Sequence, residues 1–166
     1  NKKVIRIVTP YDYDIIILNK KLNKTYIYFG SSGFSKFKKQ AIQDGNAEKI
    51  ATDVSVKRAV SKSNRLYNNS VWDLVDKSEK EVIDYSKIDR KKLTKELQAL
   101  SDAELKKHVK TQKKKRSEIK KQINELNKKR KIYVAKKQQE STKKNELESV
   151  MIQAIKKQAM RKNYKW

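Results

Sequence analysis

Apolar positions change period along this chain. Val4-Ile5-Arg6-Ile7-Val8 is a β-branched run that stops at Thr9-Pro10, the pattern of a short strand. Tyr11 to Leu22 holds Ile15-Ile16-Ile17-Leu18 and reads either as a short buried helix or as a second strand. Thr25 to Phe29 is again β-type and closes on a Gly30-Ser31-Ser32-Gly33 turn. Phe34 to Ala51 and Thr52 to Asn68 read as two helices, the second with Val56, Ala59, Val60 and Tyr67 on one face. Within the mixed stretch Ser70 to Asp89, Val71, Trp72, Leu74 and Val75 form an apolar knot among acids, expected to pack in a loop.

The second half has a longer rhythm. Ser101 and Glu104 have the spacing of a capping box, in which hydroxyl and carboxylate satisfy free amides at a helix start. Beyond it Leu105, Val109, Gln112, Arg116, Ile119, Ile123, Leu126, Arg130 and Tyr133 follow alternating steps of four and three, a heptad seam with polar interruptions. A second stripe runs through Leu147, Val150, Met151, Ala154, Ile155 and Ala159, with Ser141 placed to cap its helix. The two stripes predict an antiparallel helical hairpin that turns near Glu140 to Asn145. The absence of Gly and Pro from Asn46 onward keeps one continuous rod as its rival. The expected fold is α+β and predominantly α. Residues 1–89 would form an α/β remnant with helices, and residues 90–166 a basic helical arm, as a coiled-coil-like hairpin.

Composition narrows the function. In 166 residues, 43 Lys and Arg face 19 Asp and Glu, a net charge of +24, and hydrophobic residues reach only 36%. That apolar share lies below the usual 45–50% or so, so a compact enzyme with a deep core is not expected. No run approaches the roughly 18 apolar residues of a membrane span. With no Cys and a single His, His108, thiolate and multi-His chemistry is excluded. His108 reads as a solvated helix-surface residue. No signal peptide is visible, and the chain starts on Asn1, as expected of a processed chain or a piece of a longer one.

Candidate chemistry is sparse. Gly30 to Gly33 lacks the spacing of a phosphate loop. Asp12, Asp14, Asp73, Asp76, Glu79, Glu81 and Asp84 show no order around a pocket, so solvation and helix capping account for most of them. The strongest signal is basic. Residues 90–166 carry 26 Lys and Arg against 8 Asp and Glu. Clusters stand at Lys113, Lys114, Lys115 and Arg116 and at Lys128, Lys129, Arg130 and Lys131, with Arg90-Lys91-Lys92 and Lys136-Lys137 nearby. These are candidate contacts for a polyanion (nucleic acid, lipid headgroup or acidic glycan) read without sequence preference. A merely solvated helical arm is the competing account. Lys outnumbers Arg and aromatics are scarce there, which argues against base readout and base stacking.

Two stretches carry a family resemblance. One runs from Thr9-Pro10-Tyr11-Asp12-Tyr13-Asp14 to Leu22-Asn23-Lys24-Thr25-Tyr26-Ile27-Tyr28-Phe29-Gly30. The other comprises Ala59-Val60-Ser61-Lys62-Ser63, then Tyr67 through the Trp72-Asp73-Leu74-Val75-Asp76 words, then Asp89 to Leu97. In this order they resemble the C-terminal part of bacterial cell-envelope proteins with a von Willebrand factor type A domain, in which a last strand-and-loop piece precedes helices and a basic tail ending in an aromatic, as Asn163-Tyr164-Lys165-Trp166 would. That family has a doubly wound α/β fold with a D-x-S-x-S metal motif, where carboxylate and hydroxyls supply the oxygen ligands a hard cation needs. The nearest match, Asp53-Val54-Ser55-Val56-Lys57, ends on Lys57, and a helix N-cap by Asp53 or Thr52 is the better account. The resemblance implies a metal-site strand upstream of Asn1, so no metal ligand is carried over. It implies a non-enzymatic scaffold of the periplasm or cell envelope without a cofactor, whose partners are proteins, including the missing N-terminal part of the same polypeptide. The alternative is a cytoplasmic basic helical protein bound to nucleic acid, for example on a ribosome.

Overall fold

A computed structural model describes residues 6–162, and the chain is predominantly helical. The helices are α1 (Asp12–Asn23), α2 (Gly33–Ile50), α3 (Thr52–Ser63), α4 (Leu74–Lys80), α5 (Lys95–Gln98) and α6 (Asp102–Arg161), with 3-10 turns at Tyr85–Lys87 and Arg90–Lys92. No strand forms among the described residues. Arg6 to Val8 adopt none, while Val4 and Ile5, like the Asn163 to Trp166 ending, lie outside the described residues. Thr25 still belongs to the turn that ends α1, and the run beyond it pairs only through a single antiparallel bridge, Tyr28 to Asp73. Phe29 N–H donates to Trp72 O at 2.9 Å and Leu74 N–H to Ile27 O at 2.9 Å. The α/β remnant expected of residues 1–89 is therefore not seen among the described residues. The 72–74 segment that pairs with Thr25 to Phe29 turns at once into α4, so no ladder can grow.

Local chemistry explains most boundaries. The Asp12 carboxylate accepts from Thr9 N–H at 3.1 Å and from the Thr9 hydroxyl at 2.5 Å, which ties down the entry to α1. Gly30 takes φ +74°, the left-handed region that favours glycine, and turns the chain into α2. Extended Ala51 separates α2 from α3 without Gly or Pro. Neither Asp53 nor Thr52 caps α3: Ala51 is the N-cap residue, and Asp53 sits in the first turn near Arg6 (3.7 Å) and Lys57 (3.6 Å). α3 also stops at Ser63, short of the expected Asn68. The apolar knot begins a helix rather than packing as a loop. Asp73 caps α4 by accepting from Asp76 N–H at 2.9 Å, with Trp72, Leu74 and Val75 buried and Val71 exposed. Ser101 and Glu104 form the reciprocal capping box at the start of α6.

α6 is one helix of 60 residues, roughly 90 Å long at 1.5 Å per residue. The hairpin is corrected: Ser141 lies inside the helix and caps nothing. The seam does face inward, but toward the front half of the chain rather than a returning helix. One core cluster joins Ile15, Leu18, Leu22, Tyr26, Val56, Ala59, Trp72 and Ile123. A second joins Ile27, Leu74, Val75, Leu93, Leu97, Leu105 and Val109. Both clusters cross residue 89, so the expected division there is no boundary in packing. Burying these apolar faces needs α6 as a wall, because α1, α3 and α4 are too short to enclose them alone.

Candidate interaction surfaces on the long helix

The position of α6 is set by an ion cluster with a near-zero exposure. Arg116, 1% exposed, donates through Nη1 to Asp73 Oδ2 at 2.5 Å and to Asp76 Oδ1 at 2.7 Å. Its Nη2 donates to the Thr25 carbonyl at 2.8 Å, and its Nε to Thr25 Oγ1 at 2.9 Å. The guanidinium lies 4.1 Å from the centroid of the Tyr26 ring, a cation–π contact. The two carboxylates also accept backbone N–H groups, Asp73 from Ile27 at 2.7 Å and Asp76 from Asn69 at 2.7 Å. Burial pushes the Asp73 carboxyl above its ordinary range, against the pull of Arg116. Burial also raises the Tyr26 phenol.

Arg116 is therefore not an anion-contacting surface residue: its donors are spent on internal oxygens. Arg130 is turned partly inward. Its Nε donates to Asp12 Oδ1 at 2.8 Å, and the next seam residue, Tyr133, meets Tyr11 edge-on at 6.4 Å. A third polar knot joins α1, α2 and α3. Asp44 accepts from Lys62 at 2.6 Å, Asn23 at 2.7 Å and Arg58 at 2.9 Å. Burial drives the Lys62 ammonium down to about 8, although Asp44 opposes it. Asp44 stays below its ordinary value, because the Lys62, Asn23 and Arg58 hydrogen bonds outweigh its burial.

The remaining candidate lysines are scattered around the helix. Lys115 borders a hollow with Lys21 and Lys24, and Lys129 another with Asp14 and Glu125. Lys128 and Lys131 are exposed. Lys113 and Lys114 turn the other way, into an open groove of about 580 Å³ between α6 and the segment from Ser78 to Tyr85. There they join Lys106 and Lys110, which no charge run singled out. The signal was present as spacing, since 106, 110, 113 and 114 share one helical face. Val109 forms the floor, and Val82, Ile83 and Tyr85 the opposite wall. Glu81, at the rim, is paired with Lys77.

Beyond Gln138, which still borders a hollow with Arg6, Asp53 and Lys57, the helix leaves the body of the protein. Leu147, Val150, Met151 and Ile155 are each more than half exposed, so the second stripe has no cover from the described chain. His108 is half-buried on α6. Of the front-half carboxylates, Asp12, Asp73, Asp76 and Asp84 are engaged in capping or ion pairs. Among the described residues no group of three or more His, Asp or Glu could hold a metal ion. No described helix is long and apolar enough to cross a membrane. No protein-family model, curated protein or solved structure matches this chain.

Proposed function

We propose that this protein is a non-enzymatic interaction scaffold that uses α6 to hold another macromolecule. One observation carries the reading: the distal part of α6 projects from the body with an apolar stripe at Leu147, Val150, Met151 and Ile155 that nothing in the described chain covers. Helices in proteins gain most of their stability from packing an amphipathic face, so such a stripe is suited to a partner helix or groove. The resemblance read from the sequence to envelope proteins bearing a von Willebrand type A domain favours a bacterial envelope setting, with the partner a protein and the rest of such a polypeptide among the candidates. A photo-crosslinking residue at Met151, in the host, is expected to give a discrete protein adduct, while one at Gln153 on the opposite face gives none. Equal labelling from both positions, or no protein adduct, would overturn the reading.

A second reading has its own support. The exposed lysines around α6 suit the phosphates of nucleic acid. Retention on duplex RNA that falls steeply with salt, together with nucleic-acid rather than protein adducts at Met151, would favour it.

A further inference from the structure

We infer that the groove between α6 and the Ser78 to Tyr85 segment is a docking site for an acidic peptide segment of a partner protein, one that carries an apolar anchor side chain. Lys106, Lys110, Lys113 and Lys114 line one wall over about 12 Å of helix, at 1.5 Å per residue. None of the four forms an ion pair among the described residues, and Glu81, the acid that lines the same groove, is paired with Lys77. The floor and far wall are apolar: Val109, Ile83, Tyr85, and Val82, whose side chain is wholly exposed. The ligand must therefore answer two demands at once, several negative charges along one edge and an apolar group for the hollow.

A phosphate backbone or an acidic glycan supplies the first without the second. A bilayer is flat and cannot reach a concave floor. A short peptide with carboxylates on one face and a leucine or phenylalanine on the other satisfies both. Separate carboxylates also suit lysine, a compact point charge, better than the bidentate geometry that arginine serves. The site is separate from the projecting stripe: 34 residues divide Lys113 from Leu147, roughly 50 Å along α6. It stands or falls independently of the scaffold reading.

The test uses the full chain and two fluorescein-labelled peptides, EELFEELLEE and its serine counterpart EESSEESSEE, in anisotropy titrations at near-physiological salt. The first is expected to bind with Kd below about 100 μM and the second at least tenfold more weakly, since charge alone at an exposed surface contributes little. Lys110→Glu with Lys113→Glu should weaken the first peptide at least tenfold, and Val82→Ser several-fold. Lys128→Glu with Lys131→Glu, equal in charge change but outside the groove, should leave it within about twofold. All these positions are at the surface, so unchanged helical melts serve as the folding control. Equal binding of both peptides, equal loss in the control variant, or displacement from the groove by duplex RNA or phosphatidylglycerol vesicles at matched charge would overturn the inference. So would the absence of saturable peptide binding below about 1 mM.

Discussion

Arg116 and Asp73, 43 positions apart, meet at 2.5 Å with both side chains almost wholly buried, and through them the long helix is locked to the start of α4. Asp76 completes the cluster at 2.7 Å. A charge withdrawn from water this completely is tolerable only when every donor and acceptor finds a partner. Replacing Arg116 alone strands two neighbouring carboxylates. Arg116→Met is therefore expected to cost about 3–5 kcal/mol. The triple change Arg116→Met, Asp73→Asn, Asp76→Asn should recover part of it. Urea unfolding of the two variants decides the matter: if the single variant is as stable as the native chain, the cluster is not closed as described.

Lys62 makes stability depend on alkaline pH. Burial lowers its folded pKa to about 8 from an ordinary 10.5. Between those values the unfolded chain binds a proton that the folded chain has released, so this contribution to stability grows as pH rises. Tyr26 acts in the opposite sense above about pH 10, because burial keeps its phenol protonated in the fold while the unfolded phenol ionises near 10.0. The urea midpoint should rise from pH 8 to near 10 and then fall. In Lys62→Met the rise should vanish, with Arg58 and Asn23 left to pair Asp44. A rise of the same size in that variant would show that another group is responsible.

The two stripes of α6 should respond in opposite ways to the same insult. Ile123 is fully buried between α1 and α3, so Ile123→Asp is expected to cost about 3 kcal/mol or more. Leu147 is 62% exposed, and Leu147→Asp should stay within about 0.5 kcal/mol. Thermal melts of the purified monomer test both. A large loss at Leu147 would mean that the distal stripe is packed against this chain after all.

Removing the hydroxyl of the capping box, Ser101→Ala, frees the Glu104 amide at the start of α6 and should cost about 1 kcal/mol. Glu104, whose carboxylate is held below its usual value first by the Ser101 N–H and then by the Ser101 side chain, should stay lowered in that variant by NMR, though less than in the native chain, because the backbone donor remains. A Glu104 titration at the ordinary carboxylate value in the variant would show that the N–H does not hold it.

Gly45 lies inside α2 with open space where a Cβ would stand. Gly45→Ala should raise stability by about 0.5–1 kcal/mol, through a less flexible unfolded chain and a better helix former. A destabilised variant in the same urea assay would contradict that open space.

Much of α6 is legible in the sequence. The capping box is a contact between residues three apart, and the seam positions follow from the period of the helix itself. Leu105, Val109 and Ile123 accordingly face inward, as their spacing predicts. The Thr25 to Phe29 run was misleading, because β-branched and aromatic residues favour extended chain without supplying a partner strand, and only Trp72 to Leu74 comes alongside. The groove was half legible: its lysines share a helical face, but its other wall lies more than twenty residues upstream of most of them.

Sequence alone determined that the second half of the chain is helical, where α6 begins and which of its faces turns inward, because capping and periodicity act over three to four residues. The partner of that face was decided only in three dimensions. A seam of mixed apolar and polar residues accepts any complementary surface, and two stripes in one chain suggest each other. In the fold, Arg116 instead finds Asp73 and Asp76 some forty positions away, and Ile123 finds Ile15 and Val56. No local rule connects those residues. Once the front half of the chain covers the seam, the distal stripe has nothing of its own to fold back upon, and the helix runs on as a rod.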